Sequence, residues 1–210
     1  MKLVPAGEKR VETTVSNSRF IACAAPAGSV EEARGYIASM RTEFPNATHH
    51  VPAFVIGHGS SVIEHCSDDG EPAGTAGRPI LAVLKGSGLG DIVVVIVRFF
   101  GGTKLGTGGL VRAYTDATQK VLAELEMAYR AECYTSKVVI PYTFYERVVL
   151  LIREHSGEVL EDEFSEEVSL SVRILAERYP SFQSKLTNLT SGLCKAEVIE
   201  IQKDWLVRLD

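Results

Sequence analysis

The chain lacks most of the marks that place a protein quickly. Across its 210 residues no apolar run approaches the roughly 20 residues that span a bilayer. The longest run, Ile92 to Val97 with Phe99 and Phe100, is broken by Arg98 and is the size of a strand. The opening MKLVPAGEKR has no apolar stretch of the kind a secretory signal needs. Cysteine is sparse: Cys23, Cys66, Cys133 and Cys194 are widely spaced, with no CxxC pair. They read as free thiols in a reducing cytoplasm, not as a disulfide frame or a zinc site. The catalytic signatures G-x-S-x-G and H-E-x-x-H are absent. A large excess of positive charge is absent too. The net charge is −5 with a pI near 5.6, which argues against bulk coating of DNA but leaves room for a local basic groove. With 45% hydrophobic and 23% charged residues, the composition is that of a folded globular chain and excludes general disorder.

What is present is unevenly distributed. Sixteen of the 18 glycines precede residue 110, and only Gly157 and Gly192 follow. Residues 1–132 carry 13 basic and 14 acidic side chains, whereas residues 133–210 carry 9 and 13. The first part is therefore near neutral and rich in unusual backbone, and the second holds most of the negative charge. Two domains, 1–132 and 133–210, are expected, with a hinge near Arg130 to Ser136.

The first part opens on a hairpin, Lys9 to Val15 and Arg19 to Ala24, turned at Ser16-Asn17-Ser18. Ser29-Val-Glu-Glu32 has the form of a capping box. The residues after it, Val30, Ala33, Ile37, Met40 and Phe44, repeat with a helical period until Pro45. Strands His50 to Ile56 and Ser61 to His65 follow, then a polar glycine loop, Ser67 to Pro79, and a short helix, Ile80 to Lys85. The β-branched run Asp91 to Phe100 predicts a strand buried on both faces. A second glycine loop, Gly101 to Gly109, leads to a long helix from about Leu110 to Met127, with Tyr114 in its apolar stripe. The second part reads strand (Val138 to Tyr142), helix, strand (Glu158 to Phe164), strand (Val168 to Leu175), helix, strand (Ala196 to Gln202). That is the order of a ferredoxin-like βαββαβ domain.

Three constellations carry chemical information. In Ser67-Asp-Asp-Gly-Glu-Pro-Ala-Gly-Thr-Ala-Gly-Arg-Pro79, three carboxylates (Asp68, Asp69, Glu71) crowd into four positions. They repel each other unless a cation, an arginine or backbone N–H groups offset the charge. A hard cation such as magnesium would suit them, and pairing with Arg98 or Arg112 would lock the loop instead. In Arg98-Phe-Phe-Gly-Gly-Thr-Lys-Leu-Gly-Thr-Gly-Gly-Leu-Val-Arg-Ala-Tyr114, a strand feeds a glycine loop that opens a helix. Gly106, Gly108 and Gly109 are candidate anion binders, since the free N–H groups and dipole of a helix start attract phosphate. Lys104 and Arg112 add charge there. The spacing is neither a P-loop nor a Rossmann fingerprint. A glycine loop that merely permits tight packing is the plain alternative. Third, Ala47-Thr-His49-His50 follows the first helix, and adjacent strand residues face opposite ways, so only one of these histidines serves a given site. The His and Cys spacings match no zinc pattern, and no metal site is assigned.

The blocks Ser18-Arg-Phe-Ile21, Ala47-Thr-His49, Ser67 to Gly77, Val97-Arg-Phe-Phe-Gly-Gly102 and Leu105-Gly-Thr-Gly-Gly-Leu-Val-Arg-Ala-Tyr114 together resemble the YigZ/IMPACT family. The family usually carries tyrosine where Phe99 or Phe100 stands here. The resemblance implies an α+β fold in two domains. The N-terminal one is a ribosomal-protein-S5-domain-2-like sandwich. The C-terminal one is ferredoxin-like, similar to late domains of elongation factor G. It also implies a link to translation, which eukaryotic relatives regulate by competing for an activator of an initiation-factor kinase. That partner does not carry over to this chain. What carries over is a motif surface of His49, Asp68, Asp69, Glu71, Thr75, Arg98, Lys104 and Arg112.

Two functions follow as expectations. The first is a cytoplasmic, non-enzymatic module that contacts the ribosome, RNA or a translation factor. The alternative is an enzyme or binding protein for a phosphorylated small molecule or nucleotide, held by the acidic and glycine-rich loops, with His49 as acid or base. Neither names a cofactor, and a membrane is not among the expected partners.

Overall fold

The computed structural model describes residues 2–59 and 61–208. Its elements run β1 (Lys2–Pro5), β2 (Lys9–Val15), β3 (Ser18–Pro26), α1 (Val30–Glu43), β4 (His49–Ile56), β5 (Ile63–Cys66), α2 (Gly77–Ser87), β6 (Ile92–Phe99), α3 (Gly106–Glu124), β7 (Met127–Ile140), α4 (Tyr145–Glu154), β8 (Glu158–Phe164), β9 (Val168–Leu175), α5 (Tyr179–Leu189) and β10 (Ala196–Arg208). They divide into two units, residues up to Tyr129 together with Arg208 onward, and Arg130–Val207. The architecture is the α+β arrangement expected. Among the described residues no helix is long and apolar enough to cross a membrane.

In the first unit an antiparallel sheet has the order β2-β3-β6-β4-β5. Strand alternation sorts β6 between two cores. Ile92, Val94 and Ile96 join Phe20, Ala22 and Ala24 of β3 and pack on α2 and α3, through Ile80, Leu84, Leu110, Tyr114 and Val121. Val93, Val95 and Val97 join Ile21, Cys23 and Ala25 and pack on α1, through Ala33 and Met40. Both faces of the sheet are thus covered by helices, which is why β6 is apolar throughout Ile92 to Val97. Each such branched side chain contributes about 1.5–3 kcal/mol by leaving water. Pro52 does not break β4. It pairs with Val95 of β6, but its backbone polar groups face the β5 side, where its carbonyl accepts from the Ser67 N–H at 3.1 Å beyond the last β4–β5 pair, Ala53 opposite Cys66, so its missing N–H removes no bond from the β4–β6 ladder.

Local signals at the first helix and hairpin act through specific atoms. Ser29 Oγ accepts from the Glu32 N–H at 3.1 Å, and the Glu32 carboxylate accepts from the Gly28 N–H at 2.7 Å. The hairpin turn holds two residues instead of three: Ser16 (φ 45°) and Asn17 (φ 65°) are both left-handed, as a primed turn requires. Ser18 is already in β3, opposite Val15.

In the second unit the strand order is β10-β7-β9-β8, the ferredoxin-like order. Val138 and Ile140, and Val168, Leu170, Val172 and Ile174, face Val148, Leu151 and Ile152 of α4 and Phe182 and Leu186 of α5. Two readings of the sequence are corrected. The units divide at Tyr129/Arg130, at the start of the segment 130–136 expected as a hinge, but the chain there is no loop: it belongs to the 14-residue strand β7, which begins at Met127 and not at Val138. The last strand continues to Arg208 instead of ending at Gln202. Both stretches mix charged and apolar residues on the two faces, so neither presents the clean period that marks a strand.

Candidate functional site

One end of the first sheet gathers polar groups from four segments: the start of β3, the start of β4, the end of β6, and the loop between β5 and α2. That loop is not a solvated acidic turn, because each carboxylate has its own partners. Asp68 accepts from the N–H groups of Gly74 (2.8 Å), Ala76 (3.1 Å) and Gly77 (2.8 Å). It thereby caps α2 from nine residues upstream, in a helix whose own N-cap, Ala76, has no capping side chain. Burial pushes the Asp68 carboxyl up, but the three N–H bonds and the charge of Arg78 outweigh it and hold it below the ordinary aspartate value. Asp69 stands at φ 47° and accepts from the His50 N–H (2.7 Å) and from Arg41 (2.8 Å).

Glu71 turns inward. Its Oε1 accepts from Arg98 Nη1 at 2.6 Å and from the Tyr114 hydroxyl at 2.7 Å. Glu71 is 8% exposed, Arg98 4% and Tyr114 0%. Arg98 also donates from Nη2 to Ser18 Oγ (3.3 Å) and lies against the rings of Phe20 and Phe100. Ser18 Oγ accepts in addition from the Gly101 N–H at 3.2 Å. Burial, then the bond to Glu71, push the Tyr114 hydroxyl far up, so it stays a donor. An ion pair this deep offsets most of its attraction with desolvation. Its role is to tie the acidic loop to β6 and α3. At Gly101 the tie leaves no space: a Cβ there would lie 2.0 Å from the Asn17 carbonyl.

His49 sits at the rim, its Nδ1 2.8 Å from the Asp69 carbonyl oxygen and its Nε2 3.9 Å from Glu71 Oε2. Beyond it the chain is exposed. Phe100 is 47% exposed, and the run Gly102–Lys104 is open to solvent. Helix α3 begins at Gly106, four residues earlier than its apolar stripe suggests. Gly106 has φ +71°, which suits it to the entry turn. No acidic side chain lies in the first turn of α3 and none caps it.

Residues 16–122 match the Impact N-terminal domain, and residues 138–193 match a domain of unknown function, DUF1949. An IMPACT family member from Haemophilus influenzae is 38% identical over 95% of this chain and 97% of its own. YigZ of Escherichia coli is 36% identical over 94% and 98%. The chain belongs to the IMPACT family. YvyE of Bacillus subtilis, another member, is 34% identical over 96% of this chain and 90% of its own. A crystal structure described as that of a hypothetical protein superposes with a TM-score of 0.60 at 37% identity, over 95% of this chain and 97% of the other.

In this IMPACT protein the fold brings together His49, Asp69, Glu71 and Arg98 from the motif surface. Asp68 and Thr75 serve the loop itself, Thr75 by donating to the Pro72 carbonyl at 2.7 Å. Lys104 and Arg112 are exposed, and among the described residues neither forms an ion pair with the acidic loop. Gly106, Gly108 and Gly109 form the first turn of α3 instead of a loop. Among the described residues no group of three or more His, Cys, Asp or Glu side chains is placed to hold a metal. Reading the sequence overlooked Tyr114, Ser18 and Phe100 as parts of the site. A tyrosine inside an apolar helical stripe was the available signal, because a buried hydroxyl needs a partner.

Proposed function

We propose that this IMPACT protein is a cytoplasmic, translation-linked regulatory module that contacts RNA or the ribosome through its first domain, residues 1–132, and performs no chemistry of its own. The observation that carries the reading is the segment from Phe100 to Arg112. It sets an exposed aromatic ring, Lys104 and an uncapped glycine-rich helix start side by side in the chain. Single-stranded nucleic acid is commonly held by that combination, with bases stacked on aromatic rings and phosphates at N–H groups and cations. Arg112 follows Gly108 by four residues, and a helical side chain leans toward the N-terminus, so its charge lies over the open first turn. The acidic loop supports the non-enzymatic half of the reading: Asp68, Asp69 and Glu71 Oε1 are committed to backbone N–H groups, Arg41, Arg98 and Tyr114. The link to translation that the motif resemblance implies, and four free thiols suited to a reducing compartment, agree with it.

The test is co-sedimentation with ribosomes and filter binding to single-stranded RNA at low and moderate salt. Association that weakens with salt is expected, with Lys104→Ala and Arg112→Ala each lowering affinity and flattening the salt dependence. No association at low salt would sink the proposal.

A further inference from the structure

The sheet of the second unit ends in two very different edge strands. β8 borders one side and β10 the other, and among the described residues β10 pairs only with β7. The outer backbone groups of an edge strand are a template for another strand, and folded proteins blunt them with short strands, bulges or charge. β8 carries all three devices: seven residues, a register shift between Val159 and Glu161, and Glu161, Asp162 and Glu163 in a row. β10 runs for 13 residues. Its Val198, Ile199, Ile201 and Leu206 are all exposed, Ile199 by 62% and Ile201 by 55%. Its charges are of both signs, with Glu197 and Glu200 toward one end and Lys203 toward the other.

Two contacts fix which of these side chains share the face turned away from α4 and α5. Arg173 lies between the core residues Val172 and Ile174, so it points to the other face, where its Cζ stands 3.7 Å from the centroid of the Trp205 ring. Glu197 lines a cleft with Lys137 and Val139, and Val139 lies between the core residues Val138 and Ile140. Strand alternation then puts Glu197, Ile199, Ile201, Lys203 and Trp205 on that one face. Among the described residues neither Glu197 nor Lys203 forms an ion pair within the chain.

Two copies of one strand pair antiparallel about a two-fold axis normal to the sheet, and opposed residues then share a face. With the axis at Glu200, Ile199 stands opposite the partner's Ile201 and Glu197 opposite the partner's Lys203, and each pair occurs twice. With the axis at Ile201, Ile199 would meet Lys203, and Glu197 would meet Trp205. With the axis at Ile199, Glu197 would meet Ile201. With the axis at Gln202, Glu200 would meet Asp204 twice. The Glu200 axis alone among these matches apolar with apolar and acid with base. Its cost is Glu200 against its own copy on the other face, where cross-strand like charges destabilise.

We infer that β10 is a self-complementary edge, which pairs with β10 of a second copy about an axis at Glu200 and makes the protein a homodimer. The inference concerns the second unit and stands apart from the RNA contact proposed for the first.

The test is sedimentation velocity of the whole chain. The mass should rise from 22.9 kDa to twice that as concentration increases between about 2 and 200 μM, the range of a small edge-to-edge interface. Ile199→Lys should weaken the dimer about tenfold or more. Glu200→Gln should tighten it about two- to fivefold by removing the repulsion at the axis. Glu197→Lys and Lys203→Glu should each weaken self-association, and an equimolar mixture of the two should dimerise again, because each supplies the charge that the other lacks. All four positions are exposed, so none of these changes touches the core. A parent that stays monomeric throughout, a dimer indifferent to Ile199→Lys, a Glu200→Gln dimer that is no tighter, or a mixture that fails to associate would each overturn the inference.

Discussion

Replacing Arg98 by Met is the most exacting probe of the buried lock. The substitution keeps an unbranched apolar stem against Phe20 and Phe100 and removes the guanidinium, which leaves the Glu71 carboxylate buried with only the Tyr114 hydroxyl as donor. Stripping one partner from a buried pair costs about 3–5 kcal/mol, because the remaining charge has lost its compensation but not its desolvation. For a unit of this size that corresponds to a melting temperature lower by about 10–20 °C. The double variant Arg98→Met with Glu71→Gln should recover at least half of the loss, since a neutral amide still accepts from Tyr114 and no longer carries a buried charge. Far-UV circular dichroism follows the unfolding. The single tryptophan, Trp205, lies in the other unit and reports that unit separately by fluorescence. The loss should appear in the dichroism transition and not in the Trp205 transition. A loss below about 1 kcal/mol for Arg98→Met, or no recovery in the double variant, would refute the reasoning.

Three further outcomes are expected. Asp68 has its carboxyl depressed in the fold, so its contribution to stability is present above the unfolded pKa and fades as pH falls through the lower folded value. Asp68→Asn should therefore be about 2 kcal/mol less stable than the parent at neutral pH, with the gap narrowing below about pH 4 in urea titrations. Gly101→Ala places a methyl 2.0 Å from the Asn17 carbonyl, and a loss of about 3 kcal/mol or failure to fold is expected by thermal melting. Cys23 is fully buried, with burial pushing its thiol to about 11, and Cys133 and Cys194 are buried as well. At pH 8 a disulfide dye should label only Cys66 rapidly in the native protein and all four thiols after unfolding. Fast labelling of three or more thiols in the folded state contradicts the described core.

Much of the architecture is legible without coordinates because it rests on local periodicity. The continuous branched run in β6 announces a strand covered on both faces, and Ser29 with Glu32 announces the start of α1. The alternation in β8 and β9 and the helical stripes of α4 and α5 point to the ferredoxin-like unit. The glycines at 106, 108 and 109 misled by one turn. Low helix propensity reads as loop, yet the first turn of a helix tolerates glycine, and the left-handed entry at Gly106 needs it. The early start of α2 was hidden for a different reason, since its cap arrives from Asp68.

The residues and their order determined the two α+β domains, the positions of most strands and helices, and the clustering of polar side chains in two glycine-supported segments. Membership of the family follows from the same motifs. What each carboxylate does was decided only by the tertiary structure. Asp68, Asp69 and Glu71 are nearly equivalent in sequence, three acids within four positions. Their fates diverge because the donors come from distant segments: the N–H groups at the start of α2, Arg41 with the His50 N–H, and Arg98 with Tyr114. Hydrogen bonding and desolvation depend on which groups the packed sheet and helices bring within 3 Å, and no spacing along the chain encodes that.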